Sequence, residues 1–368
     1  MTEQELYAYV AGELSRTDWE ALEHAYGPAG DIPPYLAGLL DSDADRQSEA
    51  LGMLDMAVLH QGSLYSATPP AALFVAAVLD HPRTLAEHES HYPWDERARP
   101  LRAALIEWLG QIADSAAHGE RTRGEDSNGP DVTAACRAVR PALYKSVQRY
   151  LSEPHPAIRE AAVGAVTHLL RAPDLAEHIP HAAGHLRHTL AHSSSRRERA
   201  ACAVTLGLWG QDTTAYLDDA DPAVATCAAL ADRNAGEVRA TALLLAALER
   251  PAEADAWFWP HLPHFDGWLR FTLLRVAMER TTLEELLPAA LAMLRMSSHF
   301  TVEWDWGPLM VKAFPEGHRA GTPLTQAQRT FLRAALEHDD DWGNTAGRII
   351  WLRKAGLPSE RQALCGLL

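Results

Sequence analysis

Apolar residues recur along most of the chain at spacings of three and four, and no segment shows a convincing alternation of period two. That pattern predicts helices and no β-sheet. Thr68-Pro69 and Asp221-Pro222 each pair a capping side chain with proline at the first helical position, and Gly62, Gly119, Gly210 and Gly356 stand where periodic runs stop. Helices are expected over 17–26, 34–41, 44–60, 69–80, 95–117, 131–151, 156–171, 179–192, 196–209, 222–233, 237–249, 267–279, 283–296, 325–338, 342–355 and 359–367. Between them, Gly119 to Pro130 is polar and glycine-rich with no apolar period, and reads as a loop.

The pattern also repeats. Arg159, Arg199 and Arg239 each precede an alanine-rich run and stand 40 residues apart, a period that suits helical hairpins. Arg46 and Arg102 head similar runs at wider spacing. Pro156-Ala-Ile-Arg159-Glu-Ala-Ala, Asp221-Pro-Ala-Val224 and Glu237-Val-Arg239 resemble the core of HEAT repeats, including the phycobilisome-lyase HEAT-like repeats, although Ala225 replaces the arginine expected there. His60 to Thr68 also resembles a segment that recurs in bacterial HEAT-repeat proteins. The resemblance covers residues 40 to 250 and implies an all-α, HEAT-type α-solenoid of about eight helical hairpins. It implies one body, with 1–40 as an N-terminal cap, 41–250 as repeats, and 251–368 as aromatic-rich repeats and a cap. Such an architecture says little about function.

Composition narrows the classes. With 47% hydrophobic and 22% charged residues in 368, the chain has apolar surface enough for a core. Cys136, Cys202, Cys227 and Cys365 form no CxxC pair, and the first three lie in apolar helical runs, so they read as reduced core residues and no cofactor is expected. The N-terminus is acidic and lacks an apolar signal core, and the longest apolar run, Ala240 to Leu248, is too short to span a bilayer. A cytoplasmic monomer without membrane association is therefore expected. The net charge of −16 is uneven: residues 1 to 90 hold fifteen Asp and Glu against Arg16, Arg46 and Arg83, which places −12 there. A nucleic-acid binder needs a basic footprint, so a basic protein partner fits this field better than DNA.

Three groups of residues could carry chemistry or recognition. His178, His181, His185, His188 and His192 form one stripe on the helix expected at 179–192, about 145° from the apolar stripe of Ile179, Ala183, Leu186 and Leu190. The pairs His181/His185 and His188/His192 have chelating spacing for zinc or nickel, yet no cysteine or carboxylate completes a cage, and a solvated polar face explains the stripe as simply. Asp41, Asp43, Asp45, Glu49 and Asp55 lie on or beside one helix, where they could steer a basic partner, keep the chain soluble, or cap the helix. Seven of the eleven tryptophans (Trp257, Trp259, Trp268, Trp304, Trp306, Trp342 and Trp351) fall in the last 112 residues, as ligand-surface anchors or as bulky capping of terminal repeats. Of these, Glu303-Trp304-Asp305-Trp306 is expected to be exposed, with Trp304 and Trp306 available to a partner.

Two loops offer weaker signals. His88 to Glu96 could present His88, His91 and Trp94 at a rim, or be a turn that Tyr92 and Trp94 anchor. In His60 to Thr68, Gly62 is expected to end one helix and Thr68 to cap the next. No phosphate loop, GxSxG, HExxH or Cys/His dyad is present, and carboxylate runs such as Asp218-Asp219 and Asp339-Asp340-Asp341 read as solvated turns. The first functional expectation is thus a non-enzymatic protein-binding scaffold of regulatory or immunity type, acting on a basic protein. A HEAT-like DNA glycosylase, gripping DNA through Arg137, Arg140, Arg149, Arg187, Arg196, Arg197 and Arg199, ranks second. A tetrapyrrole- or small-molecule-handling protein ranks third.

Overall fold

The computed structural model describes residues 3–88, 97–118, 130–259, 261–265, 267–319, 321–337 and 346–368. The protein is all-α. Helices α1 (Glu3–Leu14), α2 (Ile32–Gly38), α3 (Ala44–Met53), α4 (Thr68–Val78), α5 (Leu101–His118), α6 (Pro130–Val147), α7 (Pro156–Leu169), α8 (Ile179–His192) and α9 (Arg196–Leu208) are followed by α10 (Pro222–Ala229), α11 (Val238–Leu248) and α12 (Pro251–Ala256). The series ends with α13 (Leu269–Arg280), α14 (Leu283–Leu294), α15 (Trp306–Ala313), α16 (Gln326–Glu337), α17 (Ala346–Lys354) and α18 (Arg361–Cys365). No described helix is long and apolar enough to cross a membrane.

Three helices escape the periodicity. α1 buries the short stripe Leu6, Val10 and Leu14. α12 starts at Pro251, and α15 carries Gly307 and Pro308 in its first turn, where proline costs no hydrogen bond but blurs the helical signal. The helix expected over 17–26 is absent. Trp19–Ala21 makes one 3₁₀ turn, after which β1 (Glu23–His24) pairs antiparallel with β2 (Gly27–Pro28), and a second short ladder joins β3 (Glu87–His88) to β4 (Arg99–Pro100). Gly27, at φ 131°, makes the reversal that a side chain would strain, and Ala25 donates its backbone N–H to Ala57 O (3.0 Å). The helix expected to run unbroken over 44–60 changes to a single π turn at Leu54–Val58.

Caps behave largely as residue type dictates. The Asp43, Ser195 and Asp221 side chains accept backbone N–H groups at the starts of α3, α9 and α10, and Thr282 with Glu285 forms a complete capping box on α14. Thr68 does something else: its buried hydroxyl accepts from Tyr65 N (2.9 Å) and donates to Val58 O (2.7 Å), tying down the 60–68 loop while Ala67 takes the cap position. At Gly210, φ 66°, α9 stops with Gln211 N donating to Leu206 O (2.9 Å).

The chain divides into two compact units, Met1–His188 and Thr189–Leu368, and the division falls inside the residues expected as repeats. In the first unit, α5 packs against α6 and α7, α4 against α6, and α2 against α3. α5 is buried on most of its faces (Leu101, Leu105, Ile106, Trp108, Leu109 and Ile112), as a central helix must be. Its Gly110 lies so close to α7 that a Cβ would stand 2.8 Å from Ala165 Cα. In the second unit, α9, α10 and α11 pack in sequence, α11 meets α13 and α14, and α15 meets α17. The buried free thiols fit reduced core residues: burial pushes Cys136 up to about 12, and Cys202 and Cys227 higher still, while Cys365 is exposed.

The arginines that mark the 40-residue recurrence fasten turns. Arg159 donates to the Glu153 and Pro154 carbonyls (2.8 Å each), and Arg199 donates to Leu190 O (2.9 Å) and pairs with Asp219. Arg239 pairs with Asp218 (3.4 Å) and Arg196 with Asp221 (2.7 Å). Of the Asp218-Asp219 run, expected to be a solvated turn, Asp218 is exposed, whereas the Asp219 side chain is buried against Arg199 of α9. Elsewhere cations finish helix C-termini, where carbonyls lack intrahelical donors. Arg280 donates to the Ala229, Leu230 and Ala231 carbonyls, and Lys312 to those of Met278 and Thr281.

Candidate functional site

The aromatic residues of the second unit are organised around a buried ion pair. Asp255, in the last turn of α12, is 3% exposed, and Arg270, in the first turn of α13, is 5% exposed. The Asp255 carboxylate accepts both the Arg270 backbone N–H (3.0 Å) and its guanidinium. Burial pushes the Asp255 carboxyl up, and the contacts from Arg270 oppose that shift.

The Arg270 guanidinium lies between two rings, 5.0 Å from the Trp268 centroid and 4.6 Å from that of Phe271. Trp268 stacks on Trp259 (4.7 Å, 16°), and Phe271 stacks on Trp304 (6.0 Å, 23°). The five groups form a ladder, Trp259, Trp268, Arg270, Phe271, Trp304, with a guanidinium as its middle rung. Arg270 is buried, Trp268 and Phe271 are half-buried, and the terminal indoles are open, Trp259 at 47% and Trp304 at 49% exposure. His261 stands edge-on to Trp259 (5.2 Å) and Trp268 (5.0 Å), and its carbonyl accepts from Arg197 (3.2 Å). Burial lowers the His261 pKa; Asp255 opposes this, Arg197 and Arg270 add to it, and at neutral pH the ring is uncharged.

The expected exposure of Glu303 to Trp306 is half corrected. Glu303 and Trp304 face outward, but Asp305 is fully buried and Trp306 is 2% exposed. The Asp305 carboxylate accepts from Ser297 Oγ (2.8 Å) and Trp306 N (2.5 Å), which commits both residues to the start of α15. Trp306 is core and offers nothing to a partner. Glu303 accepts from Trp351 Nε1 (3.0 Å), and Trp351 covers Gly307, where a Cβ would fall 2.4 Å from the indole. Phe258, Phe265 and Phe314 are buried, Phe300 is 77% exposed, and Trp342 lies outside the described residues.

In the first unit, α3 turns Gln47, Ala50 and Leu51 inward and leaves Asp45 and Glu49 exposed. Asp43 is exposed too, but its carboxylate caps the helix by accepting from Asp45 N (3.0 Å). Asp41 is half-buried, accepts from Asp43 N (2.9 Å) and lies 4.0 Å from Arg46. Of the five members of the acidic group, Asp41 and Asp43 also build the turn, and Asp55 is half-buried.

The histidine stripe is uneven. His181, His188 and His192 are exposed, His185 is half-buried with Nε2 3.0 Å from Leu151 O, and His178 lies against Tyr144 (4.8 Å between centroids). The expected apolar stripe is inside, with Ala183, Leu186 and Leu190 buried and Ile179 partly so. Among the described residues no three His, Cys, Asp or Glu side chains are disposed to hold a metal ion. Of the loop at 88–96, His88 is buried and residues 89–96 lie outside the described residues, as do Gly119 to Gly129 and Asp339 to Asp341.

Density of aromatics pointed to the region of the ladder, but Asp255 and Arg270 carried no local signal, because the pair joins α12 to α13 across 15 residues and the outer indoles, Trp259 and Trp304, come from separate segments. Compared with protein-family models, with curated proteins and with solved structures, the chain has no match.

Proposed function

We propose that the chain is a protein-binding scaffold, an α-solenoid of about eight HEAT-type hairpins, whose partner is a basic protein. The observation that carries this reading is the opposite fate of the two kinds of charge. Among the arginines that a DNA-gripping face would need, Arg137 donates twice to Ala116 O, Arg140 pairs with Asp174 (3.6 Å) and Arg149 with Asp80. Arg196, Arg197 and Arg199 are held by Asp221, the His261 carbonyl and Asp219. These cations are engaged in holding the fold, which weakens the glycosylase alternative. Asp45 and Glu49, by contrast, stand exposed within the 90 residues that carry −12.

Such a field raises the rate of encounter with a basic partner more than it deepens affinity. The test is capture of a partner by the full chain from its host, followed by association kinetics. Asp45→Asn with Glu49→Gln spares Asp41 and the Asp43 cap, so the fold should hold. Association at low salt should slow several-fold and lose part of its salt dependence. An unchanged rate would remove α3 as the steering surface, and capture of only acidic proteins or nucleic acid would overturn the reading.

A further inference from the structure

The ladder in the second unit suggests what its exposed ends receive. In its interior a guanidinium is already sandwiched between Trp268 and Phe271, at 5.0 and 4.6 Å from their centroids. The series of ring and guanidinium then ends: Trp259 stacks on Trp268 and Trp304 on Phe271, and each keeps nearly half of its surface open, 47% and 49%. Nearly half of each indole is left in water at two ends of one stack, although indoles are among the side chains most favoured as buried anchors at interfaces. Each outer face offers the negative side of a π quadrupole, which attracts a cation and accepts the flat guanidinium better than a hydrated ammonium. The unit around it carries −4, so the field does not repel a cationic ligand.

We infer that Trp259 and Trp304 are docking positions for arginine side chains of a basic partner, each arginine adding the rung that the ladder lacks. The inference rests on the proposed basic partner and names the chemistry by which that partner is gripped. Consecutive rungs are 4.6 to 6.0 Å apart. The two ends are thus at most about 20 Å apart, within reach of an extended segment of about six residues. One short arginine-bearing segment therefore suffices to engage both.

The test uses the full chain and a fluorescein-labelled octa-arginine peptide, followed by anisotropy, with octa-lysine beside it. Saturable binding is expected, tighter for arginine than for lysine. Trp259→Ala and Trp304→Ala should each weaken it about two- to fivefold, and the double variant should weaken it by about the product of the two. Both indoles are at the surface, so circular dichroism should show the helices intact. Trp259→Phe and Trp304→Phe should retain part of the affinity. If octa-arginine binds the double alanine variant as well as the parent, the inference is wrong. Loss of binding only in the Asp45→Asn, Glu49→Gln variant would likewise overturn it, placing the peptide on α3 and leaving the basic-partner reading standing. Absence of any saturable binding also overturns it, while that reading keeps its own test by capture.

Discussion

The two units differ in whether their unusual residues are exposed or buried. Met1–His188 has 27 acidic residues against 15 basic, and its distinctive carboxylates, Asp43, Asp45 and Glu49, sit in water on one helix whose other face is ordinary core. Thr189–Leu368 is closer to neutral, with 22 against 18, but it buries the titratable side chains Asp255, Arg270, Asp305 and Arg348 and leaves Trp259 and Trp304 exposed. A carboxylate in water costs nothing to keep and acts over a Debye length of about 8 Å at physiological salt. A buried ion pair is expensive unless its geometry is well made, and what it can supply in return is fixed positions for the groups stacked on it. The first arrangement suits encounter and the second suits grip.

The sharpest way to break this contrast is at the ion pair. Asp255→Ala leaves Arg270 buried without its carboxylate and should cost the second unit about 3–5 kcal/mol, read from urea unfolding. Removing an exposed pair in the first unit, Arg16 with Glu13 (2.7 Å), should change stability by less than about 1 kcal/mol. Equal effects would mean that the Asp255 pair is not the organising contact of the ladder.

Close helix packing should matter next. Gly110→Ala in α5 forces a Cβ against the Ala165 backbone at 2.8 Å, and a shift of α7 by several tenths of an ångström should cost about 1–3 kcal/mol. Gly12→Ala in α1, where nothing lies within 4 Å, should be neutral or slightly stabilising by helix propensity. A melting point unmoved by Gly110→Ala would show that the two helices are not so tightly apposed.

Smaller still is the pH response of the second unit. Burial raises the Asp305 pKa, opposed by its bonds from Ser297, Trp306 N and Thr301 and by the charge of Arg270. The folded state therefore holds that proton to higher pH than the unfolded chain. The stability this contributes is fully present below the ordinary aspartate pKa and is lost as pH rises through the raised value. Asp305→Asn, which cannot ionise, should flatten unfolding free energy against pH in that window, and an unchanged slope would assign the dependence elsewhere.

The histidine stripe should give the smallest effect on the fold. Nickel retention through the exposed His188 and His192 pair should fall in His188→Ala, while a chelator leaves the melting temperature unchanged, because Leu186 and Leu190 already anchor α8 in the core. Melting induced by the chelator would make the metal structural.

Apart from α12 and α15, the helices from residue 32 onward, most of their caps, the reduced core cysteines and the recurrence at Arg159, Arg199 and Arg239 were legible in the chain, because each depends on residues within a few positions of one another. The 17–26 segment was not. Its residues tolerate a helix, but Gly27 and the bond from Ala25 to Ala57 draw it into a hairpin through a partner 32 residues away. Acidity and tryptophan content marked two regions as unusual without saying which residues face out. Neighbours in sequence, Trp304 and Trp306, had opposite fates because Asp305 is held inside by Ser297 and caps α15, turning one indole to water and the other to the core. Sequence by itself determined most of the helices, many of their caps and the sign of the net charge, since propensity, capping and ionisation are local properties. Tertiary structure alone decided which arginines became staples, and it buried Arg270 against Asp255 and set Trp259 and Trp304 on its neighbouring rings, since a guanidinium takes its role from the carbonyls and carboxylates that distant segments bring to it.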